Sequence, residues 1–136
     1  MEVFIMNKLI DVLVVKPGEH PVIEKIMNNF DAIREFIGGV IDTLTLEEFF
    51  DDGGNSNEIF IVFNDEGKLK KLKSNRHITK DIIIAGTFVI CCVNINGDLV
   101  SLQADKIKYY YDRFFETEEI SDDDVQADIG FTYCSW

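Results

Sequence analysis

The first strong apolar run, LIDVLVV at residues 9–15, is rich in β-branched side chains and stops at Lys16-Pro17-Gly18, so it reads as a central strand followed by a turn. Residues 21–26 read as the returning strand of a hairpin, with Pro21 at the first position, where a missing N–H is tolerated. Phe30, Ile33 and Ile37 then recur at helical spacing. Asn28 or Asn29 can cap that helix, Asp31 suits its first turn, and Gly38 stands where a helix C-terminus favours glycine. Residues 40–46 alternate like a strand, and residues 47–58 (EEFFDDGGNSNE) read as an acidic loop with Phe49 and Phe50 folded back on the core.

Residues 59–63 (IFIVF) predict a second buried strand, closed by the turn Asn64-Asp65-Glu66-Gly67, in which Gly67 is expected to supply a positive φ. Residues 68–80 then form a basic loop. The longest apolar run covers residues 82–93, and Gly86 inside it signals a bulge or a close backbone approach. Asn96-Gly97 is a two-residue hairpin turn leading to a strand at 99–102. Ile107, Tyr110, Tyr111 and Phe114 fall at i, i+3, i+4 and i+7, which predicts an amphipathic helix over 105–115.

These elements imply an α+β fold: a mainly antiparallel, curved sheet with two helices packed on it. They occupy one domain over residues 1–115, and residues 116–136 form an acidic tail ending in an aromatic segment. That segment holds Phe131, Tyr133 and Trp136 and is expected to dock on its own domain rather than on a partner.

Charge narrows the possible partners. A formal net charge of −12 repels nucleic acid and anionic membrane, so no direct DNA binding and no membrane association is expected. The same charge draws the chain toward a partner protein with a basic surface. No apolar run reaches the roughly 18–20 residues that span a bilayer. Glu2 stands where a signal peptide needs positive charge, and Lys8 and Asp11 interrupt the run that follows, so the expected location is the cytoplasm.

Candidate chemistry is sparse. Cys91 and Cys92 are neighbours and so point to opposite faces of a strand, one expected in the core and the other near the surface. No CxxC pair, Cys/His cluster or spaced calcium-loop pattern occurs, and no phosphate-binding glycine motif, so neither metal nor cofactor is expected. His20 and His77 read as solvated turn residues rather than catalytic bases. Without a nucleophile beside a base, the chain is not expected to be an enzyme. The basic segment offers a second kind of site: Lys68, Lys70, Lys71, Lys73, Arg76 and Lys80 as phosphate clamps, with Asn75 hydrogen-bonding a base or ribose. Its alternative is a solvated basic loop paired with the acidic tail.

Several motifs stand in a recognisable order: Lys16-Pro17-Gly18; Phe36-Ile37-Gly38-Gly39 with Ile41-Asp42; Asn64-Asp65-Glu66-Gly67-Lys68-Leu69; Asn75-Arg76; and Asp81-Ile82-Ile83 with Gly86-Thr87-Phe88. In this the chain resembles a domain-of-unknown-function family of short proteins carried by bacteriophages and mobile elements, mainly in Firmicutes. The resemblance covers residues 9–115. It departs at Lys71-Leu72-Lys73-Ser74, where the family often reads Gly-Leu-Pro, and in the first eight residues and the acidic tail. The resemblance implies a setting in which proteins of this size disarm host defence by binding. The leading expectation is therefore a non-enzymatic counter-defence inhibitor that meets a host protein through acidic surface, Asp122, Asp123 and Asp124 included. The alternative is a protein that sequesters a small nucleotide ligand through residues 68–80, with Asn64, Lys68, Asn75, Arg76 and Thr87 as binding residues.

Overall fold

In a computed structural model of the chain, residues 8–120 are described. The expected acidic triplet Asp122, Asp123 and Asp124 and the terminal aromatic segment lie outside them. Among the described residues, eight strands and two helices follow in order: β1 (Leu9–Val15), β2 (Val22–Met27), α1 (Phe30–Ile37), β3 (Ile41–Phe50), β4 (Ser56–Asn64), β5 (Ser74–Thr79), β6 (Ile82–Ala85), β7 (Phe88–Val93), β8 (Leu99–Val100) and α2 (Ala104–Arg113). The main sheet runs β2-β1-β7-β4-β3, with every pairing antiparallel. Short β8 extends it beside the end of β7, and β5 and β6 form a separate hairpin. The fold is α+β, as the hydrophobic pattern predicts.

Strand alternation explains the layers. Leu13, Val15, Ile59, Ile61, Phe88, Ile90 and Cys92 project from one face of the sheet and pack with Ile78 and Ile84 of the hairpin and Tyr110 and Phe114 of α2. Ile10, Val12, Val14, Phe60, Val62, Val89 and Cys91 project from the other face, where Ile33 of α1 covers them. Central strand β7 is therefore buried on both sides. This corrects the expectation for the cysteine pair: Cys91 and Cys92 are both buried, one in each layer.

The predicted helices are found. Asn29 caps α1 by accepting the Ala32 N–H at 2.9 Å, and the Gly38 N–H closes its end on the Arg34 carbonyl at 2.9 Å.

Three local expectations are corrected. The acidic loop at 47–58 is mostly strand, because β3 continues to Phe50 and β4 already begins at Ser56. A register shift between Thr45 and Glu47 inserts Leu46 as an extra residue, and this breaks the alternation on which the sequence reading relied. After the bulge, Glu47 and Phe49 face the same layer as Leu44 and Leu46. Phe49 packs there, whereas Phe50 is 76% exposed and does not fold back.

The basic loop at 68–80 likewise contains β5, whose bulge at Asn75 turns both Asn75 and Arg76 inward. Finally, Gly67 occupies its turn without a positive φ. Glycine is needed there for close approach, since a Cβ would lie 2.7 Å from the Ala85 carbonyl oxygen.

Candidate functional site

The strand pairings gather the recurrent motifs at one end of the sheet. Val15 pairs with Phe88, Phe63 with Phe88 from the other side, and Ile41 with Asn64. The Lys16-Pro17-Gly18 turn, Gly38-Gly39, the loop at 64–73 and Gly86-Thr87 therefore meet at the same end. Asn75 and Arg76 bind these turns together. The Asn75 amide donates to the Val15 and Gly86 carbonyls, both at 2.9 Å.

Arg76 is fully buried, and each of its five N–H groups has an acceptor. Nε and Nη2 donate to the Phe114 carbonyl at 3.1 and 2.9 Å, and Nη2 also donates to Glu19 O at 2.6 Å. Nη1 donates to Asn75 Oδ1 at 2.6 Å and to Lys16 O at 3.4 Å. Burial pushes its pKa below the ordinary guanidinium value, and the Glu118 charge opposes that shift. Asn64 is also spent on structure: it donates to Gly38 O at 2.9 Å and accepts the Glu66 N–H at 2.8 Å. Thr87 is half-buried between β6 and β7, and Lys68 is half-buried with its ammonium pKa lowered by burial. Of the predicted nucleotide contacts, Asn64, Asn75 and Arg76 thus hold the end of the sheet together, and the solvent-facing chemistry there belongs to lysines.

The lysines ride on one short turn. The Lys71 N–H donates to Lys68 O at 3.1 Å and the Leu72 N–H to Gly67 O at 2.9 Å, the paired bonds of a Schellman motif. Lys71 holds the left-handed position with φ 57°, where glycine is the usual residue and a side chain costs about 1 kcal/mol. Leu72 packs on Gly86, whose N–H donates to Lys73 O at 2.8 Å.

The opposite end of the sheet is acidic. Between residues 47 and 58 there are five carboxylates and no lysine or arginine. Three are occupied internally. Glu47 accepts from Tyr110 Oη at 2.8 Å and Lys106 Nζ at 3.0 Å, and Glu58 accepts from Thr45 at 3.1 Å. Asp51 accepts the Gly53 and Asn55 N–H groups at 3.0 Å and the Asn57 amide at 3.1 Å. The Asn55 and Asn57 bonds hold its carboxyl below the usual carboxylate range. Glu48 and Asp52 remain on the surface near exposed Phe50, on β3, which is an edge strand among the described residues. The sequence places Glu48 in a loop and Phe50 on the core, because the bulge that turns both outward leaves no compositional trace.

Burial pushes the Cys91 thiol up, and burial with nearby Glu47 takes Cys92 to about 11, so both are neutral thiols at pH 7. His77 is not the solvated turn residue expected: it lies in β5, with Nδ1 2.7 Å from Glu118 Oε1 and its N–H donating to Glu118 Oε2 at 3.0 Å. His20 is exposed in its turn but stacks on Phe115 at 4.0 Å. Among the described residues no group of His, Cys, Asp and Glu is placed to hold a metal, and no helix is long and apolar enough to cross a membrane.

The chain belongs to the family described as Domain of unknown function (DUF3846), which matches residues 10–115. No curated protein and no solved structure matches it.

Proposed function

We propose that this protein works by binding rather than catalysis: a phage or mobile-element accessory protein that disarms a host defence protein by covering a basic surface with its own acidic one. The observation that carries the reading is the β3–β4 hairpin. Among the described residues β3 is an edge strand, and it presents Phe50, 76% exposed, between surface carboxylates Glu48 and Asp52, with no lysine or arginine in the hairpin's own sequence. An exposed aromatic ringed by charge of one sign suits a partner pocket with a basic rim. The neutral thiols support the non-catalytic half of the reading. The setting rests on the family resemblance, which also makes the host cytoplasm the place of action.

Two acidic elements could carry the contact, and one experiment separates them. Glu48→Gln with Asp52→Asn tests the hairpin, and truncation after Ile120 tests the tail with Asp122, Asp123 and Asp124. Cutting there keeps Glu118 on His77, so the β5 contact survives. Inhibition of host defence should fall with the hairpin variant and fall further when both changes are combined. Full inhibition by a folded combined variant would end the acidic-surface reading.

A further inference from the structure

At the end of the sheet opposite the acidic hairpin, lysines accumulate in a chain that is otherwise acidic. Lys68, Lys70, Lys71 and Lys73 lie within six residues, and Lys16 lies in the turn that Arg76 ties to them. Among the described residues, Lys16, Lys71 and Lys73 make no ion pair, while Lys70 reaches Glu66 only at 4.0 Å. Asp65 and Glu66 are the carboxylates of the same loop.

Three further features make this more than loose surface charge. First, the ammonium groups lie against bare backbone: a methyl group on Gly18 would sit 3.3 Å from Lys73 Nζ, and one on Gly39 would sit 3.5 Å from Lys70 Nζ. No side chain at these two glycines screens the approach to them. Second, the loop is held from beneath by the Asn75 and Arg76 bonds and the Lys73–Gly86 bond, so the backbone that carries the lysines needs little ordering on binding. Third, Lys71 keeps a left-handed backbone in which glycine would be unstrained. Strain of this kind is retained where a side chain is needed.

We propose that the loop at 67–73, with Lys16, is a binding site for phosphate groups, with Lys71 and Lys73 as the direct contacts. A polyphosphate chain matches this chemistry, because several ammonium groups can each neutralise a separate oxygen. The site lies apart from the acidic hairpin, so it stands or falls independently of the proposed function. Asn75 and Arg76 act as positioning residues, with no donor left for the ligand.

The test is calorimetric titration of the full chain at low salt with tripolyphosphate, ATP and orthophosphate. Tripolyphosphate should bind with one-to-one stoichiometry and weaken steadily with added salt. The double change Lys71→Gly with Lys73→Ala should weaken it about tenfold or more, the scale of a lost charge-assisted contact. Thermal melting should find that variant at least as stable as the parent, since Lys71→Gly relieves the strained position. Tighter binding of ATP than of tripolyphosphate identifies a nucleotide ligand, and equal binding identifies the phosphates alone as the recognised group. Removing lysines elsewhere, Lys25→Ala with Lys108→Ala, should leave all affinities unchanged. No binding of tripolyphosphate, or equal losses from the two double variants, would overturn the proposal.

Discussion

Tyr110 donates its hydroxyl hydrogen to Glu47 across 2.8 Å, joining the last helix to the acidic hairpin. The contact exists because the bulge at Leu46 turns Glu47 to the α2 side of β3, where Lys106 also reaches it at 3.0 Å. The bond makes the presentation of Glu48 and Phe50 a consequence of core packing. Tyr110→Phe should keep the ring packed and lose only this bond, costing about 1.5–3 kcal/mol for a bond to a charged acceptor. Urea unfolding measures it. A midpoint unchanged from the parent would mean that Glu47 finds an equivalent partner in water.

Arg76 invites a larger effect. Replacing it with methionine removes five hydrogen bonds and leaves the buried Phe114 carbonyl without the donors that satisfy it, and the part-buried Glu19 carbonyl short of one. Loss of such a buried charged hub should cost about 3–5 kcal/mol, enough to unfold a marginal domain. Circular dichroism and urea titration decide it. A loss under about 1 kcal/mol would show that water replaces the guanidinium easily.

Stability should fall in alkali, and the sign follows from the buried acids. Cys91, Cys92 and Tyr110 all have native pKa values raised by burial, Cys92 to about 11. Such groups are neutral in the native state while the unfolded chain already loses its protons. Their contribution is complete below the ordinary thiol value of 9.0 and declines above it, by about 1.4 kcal/mol per pH unit for each group. Tyr110 joins only above its ordinary 10.0. Unfolding free energies at pH 7, 9 and 10.5 measure the slope, and Cys92→Val should flatten it by one group's share. A parent whose stability is level across that range would place the thiols in contact with water.

The sequence made the regular parts legible. Asn29, Ile33 and Gly38 mark α1 by cap and spacing, and Ile107, Tyr110 and Phe114 mark α2. What it hid lies at the bulges. Leu46 and Asn75 each add one residue to a strand, so the period of two fails where Glu47 and Arg76 turn inward. A basic segment with the sequence SNRHIT carries no alternation that marks a strand, and its arginine reads as a ligand contact until its five hydrogen bonds are in view. The hidden strand is the one that assembles the lysine end of the sheet. Gly67 misleads in a related way, because a glycine required for close approach looks the same in sequence as one required for positive φ.

If binding is the function, the reactive residues are dispensable. Cys91→Ala and Cys92→Ala, with His20→Gln and His77→Gln, should lower stability through lost packing, by about 1–3 kcal/mol in total. Inhibition of host defence at a temperature where the variant remains folded should match the parent. Lost inhibition in that folded protein would restore an enzymatic reading.

The most direct measurement compares capture of host proteins by the parent and by a hairpin variant carrying Glu48→Gln, Phe50→Ser and Asp52→Asn, at low and high salt. These three positions are exposed, so the variant should fold and melt like the parent. The account predicts a basic host protein held by the parent at low salt, released as salt screens the charges over about 8–10 Å, and absent from the variant. Capture of the same protein by the folded variant, undiminished and insensitive to salt, would contradict it.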